Sequence, residues 1–89
     1  MIATAYAPFH CGGSKDGRTH TGLPVGKGIV AVDPKVIPLG TRLYIPGYGY
    51  ALAGDIGSAI KGNRIDLGVD DYREADAFEK KRIKVYVLE

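Results

Sequence analysis

Three aspartates carry the chemistry that this sequence offers: Asp33, Asp55 and Asp66, spaced 22 and then 11 residues apart. The last two lie within GDIGSAIKGNRIDLG, residues 54–68, with Lys61 and Arg64 between them. That stretch reads as a strand end, a glycine-punctuated turn and the start of another strand. Asp33 precedes Pro34, a turn signal at the end of a further strand. Acids so placed admit two readings. Each caps its own turn, as aspartates commonly do, or all three converge at one mouth of a barrel. In the second case crowding favours a shared proton, because like charges resist joint ionisation, and one carboxylic acid is left able to donate near neutral pH. Residue chemistry by itself does not choose between the two.

Other reactive side chains are weaker candidates. His10, Cys11 and His20 lack a fourth partner and the spacing of a zinc site. Cys11 reads as a small packing residue rather than a nucleophile. Asp70 and Asp71 stand near Asp66, but helix capping explains Asp71 more simply than a bound cation does. No metal and no organic cofactor are therefore expected. Tyr44, Tyr48 and Tyr50 offer rings on which a sugar can stack, against the commoner use of tyrosine as packing.

The elements that must position the acids are short. Breaks by 13 glycines and five prolines leave β-type runs at Ile2-Ala7, Ile29-Asp33, Arg42-Pro46, Tyr50-Asp55, Asn63-Val69 and Arg82-Leu88. The last alternates, with Ile83, Val85 and Val87 on one face. Six strands in a chain this short favour a small barrel, since closure removes exposed edges. Asp71-Tyr-Arg-Glu74 predicts one short helix with an acidic N-cap, Ala75 and Phe78 facing inward, and Lys80, Lys81 and Arg82 near its C-terminal end. The polar, glycine-rich stretch from His10 to Lys27 reads as a long loop.

Length and composition set bounds. The 89 residues suffice for one domain with a modest core, so residues 1–89 are read as a single unit. Hydrophobic residues at 45% and charged residues at 25% are ordinary for a globular chain and argue against disorder. The net charge of +2 is scattered, so no nucleic-acid footprint is expected. No apolar run approaches the roughly 18 residues that span a bilayer, so stable membrane insertion is not expected. Met1 leads straight into a strand, without a leader-like segment.

Several of these stretches together resemble the 3D domain, named for three aspartates, of bacterial cell-wall proteins of the stationary-phase-survival and resuscitation-promoting type. The same core occurs in membrane-bound lytic transglycosylase A. The matching elements are the opening ATAY, Cys11-Gly12-Gly13, Thr21-Gly22, the run AVDPKVIPLGTRLYI with GYGY, the AIKGNRIDL run with its flanking acids, and the closing KVYVL. The resemblance covers nearly the whole chain. It implies a mainly β fold, a six-stranded double-psi β-barrel with one short helix near the C-terminus. It also implies cleavage of the bond between N-acetylmuramic acid and N-acetylglucosamine in peptidoglycan, by Asp66 as the catalytic acid with Asp55 and Asp33 in support. Thr21, Gly57, Ser58 and Lys61 are the substrate contacts it implies. The family usually carries Asp-Thr-Gly-Gly where this chain has Asp55-Ile56-Gly57-Ser58, so a hydroxyl that would position Asp55 is replaced by Ile56.

The expected function is thus that of a lytic transglycosylase-like enzyme acting on peptidoglycan glycan strands without a cofactor. Its place would be outside the cell or in the envelope, and the chain a domain of a longer exported protein. Two rivals stand beside it: a non-catalytic glycan-binding module of expansin-like type, and a structural domain whose partners do the chemistry.

Overall fold

The computed structural model describes residues 1–7 and 26–88, the side chain of Tyr72 apart. Thr21, His10, Cys11, His20 and almost all of the loop expected from His10 to Lys27 lie outside the described residues. In chain order the elements are β1 (Ile2–Tyr6), β2 (Ile29–Val32), β3 (Arg42–Ile45), β4 (Gly49–Asp55), β5 (Arg64–Gly68), α1 (Tyr72–Ala77), β6 (Lys81–Arg82) and β7 (Tyr86–Leu88). All strands belong to one sheet, ordered β6-β1-β5-β2-β4-β3-β7. The pairs β1·β5 and β2·β4 are parallel and the rest antiparallel.

Alternation builds the core. In β2, Val30 and Val32 point inward and meet Ile65 and Leu67 of β5 and Leu43 and Ile45 of β3. Leu43, Ile45, Ile65, Val30 and Val32 are the largest fully buried side chains. The residues between them, Ala31, Arg64, Asp66, Arg42 and Tyr44, therefore share the opposite face of the sheet.

The expectation of six strands is corrected to seven. The single run Arg82-Leu88 splits, because its first part bonds to β1 and its last part to β3. These partners are far apart in the strand order, so the ladder breaks at residues 83–85. The break has a geometric consequence. Laid flat, six strand spacings would separate β6 from β7 by about 29 Å, whereas the four peptide steps from Arg82 to Tyr86 reach at most about 14 Å. The sheet must curl until its two edges nearly meet, and Ile83 and Val85 pack against the core as the chain crosses. The result is a mainly β, curled half-barrel with one short helix.

Asp71 caps α1 as expected, its carboxylate accepting from the Arg73 N–H at 2.9 Å. The basic residues do not end the helix. It stops at Ala77, and Lys81 and Arg82 form β6 because Ala3 and Ile2 supply their strand partners. Lys81 instead places its ammonium 5.1 Å from the Phe78 ring centroid.

Candidate active site

Four residues in register form a row across the outer face of the sheet. Thr4 pairs with Asp66, Asp66 with Ala31, and Ala31 with Asp55. Directly paired residues project to the same side, so Asp55 and Asp66 flank the small Ala31, with backbones about 10 Å apart over two strand spacings.

Asp66 reaches this face by simple alternation, between the inward Ile65 and Leu67. It is half-buried, and its Oδ1 accepts from the Thr4 hydroxyl at 2.9 Å. Its pKa is raised above the ordinary aspartate value, chiefly because burial disfavours the charged form. The Thr4 hydrogen bond and the Arg64 charge pull the other way, and the Asp55 charge adds to the rise. Burial, rather than crowding of like charges, thus leads the shift. Arg64 shares the face as its spacing of two predicts, and its charge is felt at Asp66. Its Nε is buried with no hydrogen-bond partner among the described residues.

Asp55 arrives differently. Val30 pairs with Ala53, but Ala31 pairs with Asp55, so β4 carries one extra residue, Gly54, against β2. Without that bulge Asp55 would follow Ala53 onto the core face; the extra residue re-aims it outward. The donors to Asp55 include the Tyr6 hydroxyl on Oδ2 at 3.1 Å and the Ile56 N–H on Oδ1 at 2.9 Å. The backbone of Ile56 therefore supplies a hydrogen bond whatever its side chain. The Tyr6 phenol is held neutral, its pKa raised mainly by burial and then by the Asp55 charge.

Asp33 has a different setting. Its side chain is buried beyond β2, with Oδ1 accepting from the Lys35 N–H at 3.0 Å and Oδ2 from the Gly62 N–H at 2.8 Å. Those two amides, Gly62 first, hold its pKa below the ordinary value, and Lys61 and Lys35 act in the same direction. It ties the turn after β2 to the turn before β5, the turn that delivers Asp66.

The loop between β4 and β5 carries the other expected contacts. Gly57 is partly exposed and Ser58 and Lys61 are exposed; the Ile60 N–H donates to the Gly57 carbonyl at 3.0 Å. Ile60 is buried with Tyr6 and Ala31 in a small second cluster on the outer face, which anchors this loop beside the carboxylates. Of the three tyrosines, Tyr48 is a packing residue: its hydroxyl donates to the Gly68 carbonyl and accepts from the Gly28 N–H. Tyr44 and Tyr50 are exposed. Thr4 and Tyr6 are site residues that the sequence reading missed. The signal was present, since two polar tips two apart and separated by an alanine in the strand-like run Ile2-Ala3-Thr4-Ala5-Tyr6 must share a face. A cavity of about 250 Å³ opens elsewhere, between α1 and the core residues Ile45 and Leu67, and none of the three aspartates lines it. The described residues include no cluster of three or more His, Cys, Asp or Glu able to hold a metal.

The pattern of the 3D domain matches residues 28–89. The chain is 46% identical over 92 residues to the cell wall-binding protein YocH of Bacillus subtilis (strain 168), covering 99% of this chain and 31% of that protein. It is 43% identical over 93 residues to the putative cell wall shaping protein YabE of the same organism, covering 99% of this chain and 22% of that protein. Among solved structures it is similar to the E. coli lytic transglycosylase MltA. An aspartate-to-alanine variant in an apo form superposes with a TM-score of 0.66 and a second crystal structure with 0.63, each at 26% identity over 81% of this chain and 27% of the other. The chain thus spans less than a third of these proteins.

Proposed function

The chain belongs to the 3D domain family, and from that premise we propose that it cleaves peptidoglycan glycan strands as a lytic transglycosylase, with Asp66 as general acid and then base. One observation carries the reading: Asp66 is half-buried with a raised pKa, in the same cross-strand row as a second, partly exposed carboxylate. A glycosidic oxygen is a poor leaving group until it is protonated, which demands a carboxylic acid near neutral pH. Because the Thr4 hydroxyl donates to Oδ1, the transferable proton is assigned to Oδ2 of Asp66.

In the proposed reaction Asp66 Oδ2–H gives its proton to the bridging oxygen as the bond from that oxygen to the muramic acid anomeric carbon breaks. The sugar's own primary hydroxyl attacks that carbon and passes its proton to the Asp66 carboxylate. The acid is regenerated, an anhydro sugar forms, and no water is consumed. Asp55, oriented by Tyr6 and Ile56, stabilises the positive charge that develops on the ring. Asp33 works at a distance, by fixing the turn that leads into β5. Gly57, Ser58 and Lys61 border the glycan, and Thr21, outside the described residues, is kept as a further contact on the family resemblance alone. If β6 and β7 are taken as one interrupted strand bonded to β1 and β3, the sheet has six strands and joins end to end, which supports the double-psi barrel. The partner places the natural protein in the cell envelope.

Incubation of purified peptidoglycan with the parent and with Asp66→Asn, followed by mass spectrometry of soluble fragments, tests the reading. Anhydro-muramoyl products from the parent alone support it; reducing-end products would make the protein a hydrolase using the same acid. A second reading, a non-catalytic wall-binding module, is favoured by the similarity to a protein named cell wall-binding. Binding by both proteins with fragments from neither would establish it.

A further inference from the structure

One step along the strands from the row that holds Thr4 and Asp66 lies a second row, of opposite charge. Ile2 of β1 pairs with Arg64 of β5 on one side and with Arg82 of β6 on the other, so the three stand abreast on the outer face. Arg64 is partly buried and Arg82 is exposed. Among the described residues no hydrogen bond or ion pair engages either guanidinium. Asp66 is the one acid of β5. The Arg64 charge is felt there, yet the hydrogen bond that Asp66 accepts comes from Thr4. The Arg64 Nε is buried without a partner, which fixes the stem and leaves the terminal Nη atoms as the donors open to a ligand.

We propose that Arg64 and Arg82 form an anion subsite of the glycan groove, which takes a carboxylate carried on the lactyl arm of the muramic acid unit being cut. That carboxylate is either the arm's own or one on a peptide attached to it. Three features select this ligand. The first is charge: two guanidiniums without a bonded counter-charge complement a carboxylate through charge-assisted, bidentate bonds. Their backbones are about 10 Å apart over two strand spacings, a gap that two long side chains close on one anion. The second is position. Arg64 stands two residues from Asp66, about 7 Å along β5. With the glycosidic oxygen at Asp66, that offset matches the reach across one sugar ring to a substituent on its third carbon. The third is Ile2, partly buried between the arginines, an apolar contact for the methyl group that the lactyl arm carries beside its carboxylate. A sugar without that arm offers this row nothing, so the row distinguishes muramic acid from its neighbour in the strand. This inference rests on the glycan reading of the aspartate row.

The test is calorimetric titration in an Asp66→Asn background, so that nothing is cut, with glycan strands in three forms. One form bears its peptides, one is stripped of them so that the lactyl carboxylates are free, and one is stripped and has those carboxylates converted to amides. Arg64→Gln and Arg82→Gln, singly and together, are compared with that background, with folding checked by circular dichroism. The double change is expected to weaken binding of strands with free carboxylates by about tenfold and to leave the amide-blocked strands unaffected. A loss seen with the stripped strands assigns the carboxylate to the lactyl arm, and a loss confined to the peptide-bearing strands assigns it to the peptide; both uphold the subsite. Arg82→Gln, a change at an exposed position, gives the same reading at smaller amplitude if Arg64→Gln does not fold. Equal losses on free and blocked strands, or no loss at all, from folded variants overturn the proposal, even if the parent with Asp66 intact releases fragments. Failure of the Asp66→Asn background to bind any of the three forms, with no fragments from the parent, overturns the glycan reading as well.

Discussion

Asp66 is placed where its ionised form is costly, and that cost gives it a titratable signature. Its folded pKa lies above the unfolded value of 3.8, so the folded state holds its proton more tightly and stability falls as pH rises through the raised pKa. Asp66→Asn removes the buried charge. It is expected to melt at a higher temperature than the parent at pH 7, with the gap closing as pH falls toward 3.8, while glycan release drops by about 10²- to 10⁴-fold. Asp33 has the opposite sign. Its lowered pKa contributes stability above 3.8 that is lost as pH falls through the lowered value. Asp33→Asn should therefore be less stable than the parent at pH 7, the difference shrinking in acid; a constant difference in thermal melts across pH would remove the charge from the account. Thr4→Val deletes a bond that lowers the Asp66 pKa. The alkaline limb of the pH–rate profile is expected to move to higher pH, a shift that a purely structural role would not give.

The elements place these residues through two devices that break simple alternation. One is the bulge at Gly54, which turns Asp55 to the face of Asp66. The other is the Gly62 turn, where a φ of +64° delivers an N–H to Asp33 in a conformation that most residues disfavour. A third glycine is fixed by space instead. A Cβ on Gly68, in β5, would overlap the carbonyl oxygens of Ile29 and Gly26. Both are backbone atoms that cannot swing aside, so Gly68→Ala is expected to cost about 3 kcal/mol, measured by denaturant unfolding. An unaltered midpoint would mean that β5 and β2 separate more easily than their pairing suggests.

On the scale of the whole molecule, stability depends on the curl that brings the sheet edges together. β7 covers β3, and β6 covers β1, so the last eight described residues shield both edges of the sheet. A chain ending after Val85 leaves β3 with an uncovered edge and exposes part of the core around Leu43. Such a truncation is expected to lower the melting temperature and promote concentration-dependent aggregation, read by light scattering; a monomer that melts like the parent would show that β7 is dispensable.

The strand runs, the N-cap of the helix and the positions of Asp33, Asp55 and Asp66 were legible in the sequence, because period-two alternation, turn residues and capping are local effects. The outward face of Asp66 follows from Ile65 and Leu67 on either side of it. What the sequence left open was anything decided by pairing between distant segments. Gly54 becomes a bulge only because β2 lies beside it. Thr4 and Tyr6 become partners of Asp66 and Asp55 through strand order, with 62 and 49 residues of chain between the bonded groups. The split of the last strand likewise depends on which edge each half meets. Alternation sets which way a side chain points, whereas tertiary pairing decides what it meets there, and the raised pKa of Asp66 is a consequence of the second.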